Sequence, residues 1–151
     1  MLEEYQMKKN LMFVVVFFVF IFSIYANPGD LKSTEKETVA LWDELGVKYK
    51  KSTKGSITSY SFTIPGTSIS TLHKFEYGLL AYIEMQYKDK QDIIDEYQKL
   101  VKRYGSPNQR SGNIQIWFVF SVVRMINIEN QWDAYITSDY FEKYIRPNLP
   151  K

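Results

Sequence analysis

His73 is the only histidine in the chain, and histidine is the side chain best suited to proton transfer near neutral pH. Glu76 and Glu84 are its closest candidate partners, so a small hydrolase built on this sequence would use His73 or a pair of carboxylates. Side chains alternate between the two faces of a strand, which places Glu76 on the face opposite His73. We therefore favour a structural role for His73 and keep the hydrolase as the alternative.

Ser33 and Lys36 have the Ser-x-x-Lys spacing in which a lysine activates a serine nucleophile. The Ser-Asp-Asn and Lys-Thr-Gly motifs that accompany it in known enzymes do not occur in the sequence. Thr34 and Glu37 have the spacing of a helix capping box, which explains the stretch structurally. The chain has no cysteine, which excludes zinc–thiolate sites and thiol nucleophiles. We predict no catalytic residue, no metal site and no cofactor.

Four lysines lie close together in one predicted hairpin: Lys48, Lys50, Lys51 and Lys54. Such a cluster can bind an anionic surface, for example lipid headgroups or a cell-wall polymer. Lysines on an edge strand also have a structural use, because their charge discourages pairing with strands of other chains. The sequence favours the structural use and leaves the binding surface as the alternative.

Aromatic residues make up 17% of the chain, a content that suits both packed cores and grooves for peptides or glycans. Leu80 and Tyr82 are the most informative pair. If Ile83 and Met85 face the core, strict alternation points Leu80 and Tyr82 to the other face of the sheet. The candidate binding surface therefore comprises Leu80, Tyr82 and the four lysines, provided that this second face is open.

A helix is the first predicted element that carries these residues. Residues 30–46 have helical spacing and place Leu41, Trp42 and Leu45 on one stripe. Strands follow at 47–51 and 57–64, joined by a turn at 52–56, and a third strand covers 70–75. A fourth covers 79–87, and its alternate residues should face the core: Leu79, Ala81, Ile83, Met85 and Tyr87.

The second half of the chain starts with a helix over 90–104, which Asp89 can cap and Gly105 ends. Residues 114–128 are rich in β-branched and aromatic types and predict two strands or one bent strand. Residues 132–137 predict another strand. A short C-terminal helix begins at Ser138 or Asp139.

Short turns between consecutive strands favour antiparallel pairing. The sequence therefore predicts an α+β fold with a curved antiparallel sheet of about five to seven strands. Two main helices pack on this sheet, and a short C-terminal helix completes the fold.

Residues 1–26 have the organisation of a secretory signal peptide. Lysines precede the apolar run Leu11–Phe22, and Ala26 is a suitable cleavage residue. As a helix the run spans roughly 18 Å, which is short for a membrane anchor. Ile24 is bulkier than usual at its position before the cut, so an uncleaved anchor in the inner membrane is the alternative.

Met7 is the start that best fits a signal peptide, because it removes Glu3 and Glu4 from a region that should be positive. Cleavage after Ala26 leaves residues 27–151 as one soluble extracytoplasmic domain, periplasmic or secreted. It contacts a membrane only if the signal peptide stays uncleaved. The formal net charge of +2 predicts no nucleic-acid partner.

Three stretches between Lys74 and Ile136 resemble small bacterial exported α+β domains, including outer-membrane-assembly lipoproteins of the BamE type. They are FEYGLLAYIEMQY, the helix end KRYGSP and the strand start IQIWF. The resemblance implies the fold and the compartment, and it supplies no catalytic residue. The chain lacks the lipidated cysteine of those lipoproteins, so the resemblance does not extend to outer-membrane anchoring.

These observations predict a non-catalytic exported domain. It would bind an envelope protein or a cell-wall component through an exposed sheet face. The alternatives are the small extracytoplasmic hydrolase and an inhibitor of an exported enzyme.

Overall fold

A computed structural model describes residues 31–150, so the predicted signal peptide and the proposed start at Met7 lie outside the described residues. The helices are α1 (Glu35–Glu44), α2 (Lys90–Tyr104) and α3 (Ser138–Tyr140), which continues as a π-helical turn (Phe141–Ile145) and a 3₁₀ turn (Arg146–Asn148). We call residues 138–148 the C-terminal segment. The strands are β1 (Lys50–Lys54), β2 (Ile57–Thr63), β3 (Ser70–Glu76), β4 (Leu79–Gln86), β5 (Gln109–Ser111), β6 (Ile114–Val119), β7 (Val122–Asn127) and β8 (Trp132–Thr137).

All eight strands form one antiparallel sheet in the order β1-β2-β3-β4-β8-β7-β6-β5. Two four-stranded meanders, β1–β4 and β5–β8, meet where β4 pairs with β8. Helix α2 connects the centre of the sheet to its far edge. The α+β class and the antiparallel sheet are confirmed, with one strand more than predicted, because the three-residue β5 has no β-prone pattern.

The helix ends follow their capping residues. The Thr34 hydroxyl accepts a hydrogen bond from the Glu37 N–H (3.3 Å), and the Asp89 carboxylate accepts one from the Gln91 N–H (2.8 Å). Helix α1 is shorter than the predicted 30–46 and buries Trp42 alone from its predicted stripe. Leu41 and Leu45 are each 40% exposed, because the short helix contacts the sheet along a narrow line.

The sheet is packed on both faces. One face, which we call the helix face, packs under α1 and α2 through a core that includes Trp42, Ile83 and Trp117. The other packs under the C-terminal segment through a second core that includes Tyr82, Met125 and Phe141. Side chains in the middle of the central strands are therefore buried on both faces, whereas Leu79 and Gln86 at the two ends of β4 are exposed. None of the helices within residues 31–150 is long and apolar enough to cross a membrane.

A bulge in β4 corrects the predicted alternation. Lys74 pairs with Tyr82 and the next residue, Phe75, pairs with Leu80, which leaves Ala81 as an extra residue. The extra residue changes the phase of the strand, so Leu80 joins Ile83 in the core of the helix face. Tyr82 points to the opposite face, as alternation predicted, and Ala81, which was predicted to face the same way as Ile83, lies with Tyr82 in the second core.

Candidate functional site

His73 lies on β3 and is buried between aromatic rings on the helix face. Its ring stacks on Phe62 with centroids 5.4 Å apart, and it packs nearly perpendicular to the Trp42 ring with centroids 4.9 Å apart. Among residues 31–150, the only side chain within hydrogen-bonding distance of the ring is Thr71, whose hydroxyl oxygen is 3.3 Å from Nδ1. Burial lowers the pKa of His73 to about 3, so the ring is neutral at physiological pH.

Both carboxylates considered as partners of His73 lie on the other face of the sheet, as strand alternation predicted for Glu76. Glu76 accepts hydrogen bonds from Lys143 (2.7 Å) and from the Tyr144 hydroxyl (2.6 Å). Glu84 accepts a hydrogen bond from the Tyr82 hydroxyl. The sheet therefore separates His73 from both candidate partners, and residues 31–150 contain no cluster of three or more ligating side chains for a metal ion.

Ser33 and Lys36 do not form a nucleophile with its activating base. The Ser33 hydroxyl lies 3.1 Å from that of Thr38. Thr34 caps α1 and also donates a hydrogen bond to the Glu37 carboxylate (2.6 Å). The residues of this stretch make the contacts of a helix start.

The predicted lysine cluster lies at one edge of the sheet. Among the strands of residues 31–150, β1 pairs only with β2, and all five of its residues are exposed. Lys51 turns towards α1, where its ammonium lies 3.2 Å from the Glu35 carboxylate. Lys50 and Lys54 point to the opposite side, and neither they nor Lys48 form an ion pair within residues 31–150. We call Lys48, Lys50 and Lys54 the lysine edge.

Serine residues lie next to the lysine edge, on the side of the sheet that faces away from α1. Lys50 is paired with Ser61, and Ser52 with Ser59. The C-terminal segment packs against side chains nearer the centre of the sheet, such as Tyr82. This part of the sheet thus presents ammonium and hydroxyl donors, with Lys74 next to Ser59 on the following strand.

Leu80 and Tyr82 do not contribute to this surface. They are 2% and 6% exposed, Leu80 because of the β4 bulge and Tyr82 because the C-terminal segment covers it. The Tyr82 ring packs against that of Tyr140 at a centroid distance of 5.9 Å. The condition for their use, an open second face, is not met at this position.

A buried ion pair lies on the helix face and was not predicted. The Arg124 guanidinium donates to the Asp133 carboxylate (2.9 Å) and lies over the Tyr135 ring at 3.4 Å from its centroid. Burial raises the pKa of Asp133, and Arg124 opposes this shift. The only sequence signal is an arginine within an otherwise apolar strand.

Two hairpin turns carry exposed aromatic rings. Tyr77, between β3 and β4, is 77% exposed, and Phe120, between β6 and β7, is fully exposed. Both have left-handed backbone conformations, with φ of 50° and 56°. This region costs an ordinary residue about 1–2 kcal/mol, so neither packing nor backbone preference explains an aromatic residue at these positions.

The sequence matches no family model, and the chain has no significant match among curated proteins or among solved structures. The resemblance to exported α+β lipoproteins stays a prediction from three sequence stretches.

Proposed function

We propose that the chain is an exported, non-catalytic binding domain whose lysine edge binds an anionic polymer of the cell wall. The observation that carries this proposal is the set of exposed ammonium groups of Lys50 and Lys54 on the outermost described strand and of Lys48 just before it, none of which forms an ion pair within residues 31–150. A polyanion lying along the strand would neutralise these charges and so remove their mutual repulsion.

The spacing of the lysine edge suits an extended ligand with repeated charges. Alternate residues of a strand lie on the same side, and four residues cover roughly 13 Å, so Lys50 and Lys54 can contact separate anionic groups. The neighbouring Ser52 and Ser59 add hydroxyl donors for phosphate or carboxylate oxygens. Because this binding is mainly electrostatic, the affinity should fall as the salt concentration rises.

The geometry favours this proposal over the hydrolase. His73 contacts aromatic rings and a threonine, and the carboxylates that would complete an acid–base pair lie beyond the sheet. No feature of residues 31–150 is specific to an enzyme inhibitor.

Co-sedimentation of the full chain with purified cell walls tests the proposal. We expect binding that falls with increasing salt and that drops about tenfold or more in the triple variant K48Q/K50Q/K54Q, because several ion pairs are lost together. The variant K88Q/K90Q/K102Q is the matched control, since it removes the same charge from exposed positions near or on α2.

Equal loss in both variants would contradict a specific site. Unchanged wall binding together with faster aggregation of K48Q/K50Q/K54Q would assign the lysines to protection of the edge strand instead.

A further inference from the structure

The two exposed aromatic rings lie at one end of the sheet. Antiparallel pairing places the β1–β2, β3–β4 and β6–β7 turns at the same end as the start of the C-terminal segment. Backbone hydrogen bonds connect these turns to their neighbours, from Tyr77 N–H to Ser56 O (3.0 Å) and from Ser138 N–H to Ser121 O (3.0 Å). We call the end that carries Tyr77 and Phe120 the aromatic end.

The described chain also begins at the aromatic end. The Lys32 N–H donates to the Leu80 carbonyl (2.7 Å), and the Leu80 N–H donates to the Ser33 carbonyl (2.9 Å). The first described residues are therefore fixed beside the β3–β4 turn.

Only eight residues separate Leu31 from the apolar run Leu11–Phe22 in the sequence. Fully extended, this connection reaches at most roughly 30 Å. Whenever the apolar run is in a bilayer, the aromatic end is thus the part of the domain that is tethered close to it.

We propose that the aromatic end docks on a lipid bilayer, with the rings of Tyr77 and Phe120 inserted at the headgroup level. Aromatic rings favour this interface, where an apolar ring is desolvated while polar groups stay hydrated. The rings occupy separate turns and project from the domain, a shape that suits insertion into a soft surface. A stable protein interface would need a larger continuous area.

Charge contributes little to this docking. Lys143 pairs with Glu76 at 2.7 Å and Arg146 with Glu142 at 2.6 Å, which neutralises two basic side chains of the C-terminal segment. Lys54, beside the β1–β2 turn at the aromatic end, forms no ion pair within residues 31–150. Arg103 lines a cavity of about 410 Å³ together with Phe120 and forms no ion pair within residues 31–150. Because the two inserted rings are uncharged, docking should occur on zwitterionic lipid and change little with salt there, and Lys54 and Arg103 should add a salt-dependent contribution only on anionic lipid.

A cysteine-free chain allows single-site labelling. We would label S121C at the aromatic end and S68C in the exposed turn at the opposite end of the sheet with the same fluorophore. In phosphatidylcholine vesicles that carry a headgroup quencher, the full chain should show several-fold stronger quenching at position 121 than at 68. The ratio of quenching at position 121 to quenching at position 68 reports the orientation of the domain, because both labelled chains have the same N-terminal apolar run.

The double substitution Y77N/F120N in each labelled chain should reduce this ratio towards one, because the rings no longer insert. Asparagine tolerates left-handed backbone, so these variants should fold, which circular dichroism checks. L41N/L45N, which removes two half-exposed apolar side chains from α1, is the control and should leave the ratio unchanged.

Equal quenching at both positions in the parent chain, or a ratio that Y77N/F120N leaves unchanged, would overturn the proposal. Quenching that requires phosphatidylglycerol and disappears in K48Q/K50Q/K54Q would also overturn it, since the lysine edge would then be the membrane contact. Loss of the ratio in Y77N/F120N with normal cell-wall binding leaves the lysine-edge proposal intact.

Discussion

His73 and Asp133 are both enclosed on the helix face, and burial favours the neutral form of each. They differ in their partners. Asp133 has the guanidinium of Arg124, whereas His73 has a single hydroxyl and aromatic rings. Protonation of His73 would therefore place an uncompensated charge in the core, and we expect this residue to make the fold sensitive to acid.

The substitution H73Q should reduce the acid sensitivity of the fold. The folded pKa of His73 is about 3, below the value near 6.5 of an unfolded chain, so between these values the unfolded state binds the extra proton. Stability is then lost as pH falls through this window, by about 2 kcal/mol at pH 5. Urea unfolding at pH 7 and pH 5 measures the loss, which H73Q should remove. An equal loss in both proteins would show that His73 is not the cause.

The two aromatic turns contain residue types that disfavour the left-handed backbone conformation they adopt. A two-residue hairpin turn that needs left-handed residues is normally built from asparagine, aspartate or glycine. Tyr77 and Phe120 occupy such positions with their rings in solvent. If only the stability of the fold mattered, asparagine, aspartate or glycine would be expected at both positions.

F120N should stabilise the folded protein by about 0.5–1 kcal/mol, because asparagine accepts the left-handed conformation more readily. Thermal or urea unfolding gives the change. F118N is the matched comparison on the adjoining strand, where the ring packs against Phe141 at 5.7 Å, and it should destabilise the protein. Destabilisation by F120N would mean that the exposed ring supports the fold after all.

Sequence patterns correctly predicted the elements whose ends are determined by nearby residues, such as helix caps. Helix α2 begins after Asp89 and ends before Gly105, as its caps predict, and the strand at 132–137 was also correct. The β4 bulge is fixed by pairing with β3, which no local pattern encodes, and one extra residue reversed the predicted face of Leu80. The hairpin that carries the four lysines was predicted, but the strand expected at 47–51 lies at Lys50–Lys54, so Lys54 belongs to the strand and Lys48 precedes it.

The Arg124–Asp133 pair and the aromatic end both depend on register between strands. Arg124 and Asp133 meet because β7 and β8 pair side by side. Tyr77 and Phe120 come to one end of the molecule only once the strand order is known. The amino-acid composition showed that aromatic residues are abundant, but only the strand order shows which of them are exposed.

At the scale of the whole molecule, the C-terminal segment encloses the second face of the sheet. Phe141 is fully buried there and contacts a core formed by β4, β6, β7 and β8. The segment also contacts β3, where Lys143 and Tyr144 bind Glu76. We infer that these last turns contribute to the stability of the entire sheet.

F141A should destabilise the protein by about 3–5 kcal/mol, the usual cost of removing a buried phenylalanine ring. Urea unfolding measures this change. Y144A is the control from the same segment, with a half-buried ring, and should cost clearly less. A cost below about 1 kcal/mol for F141A would mean that the segment is not an integral part of the fold.

The seam between β4 and β8 has a consequence for how the chain acquires its structure during synthesis. Tyr82 pairs with Ile136, and Gln86 with Trp132, so the middle of the sheet joins residues from distant parts of the sequence. A nascent chain produces β4 long before its partner exists, and contacts of high sequence separation form slowly. One side of β4 therefore stays unpaired until β8 has been synthesised. If the chain is exported, as its first 26 residues predict, this delay would keep the sheet incomplete while the chain is threaded through a translocation pore.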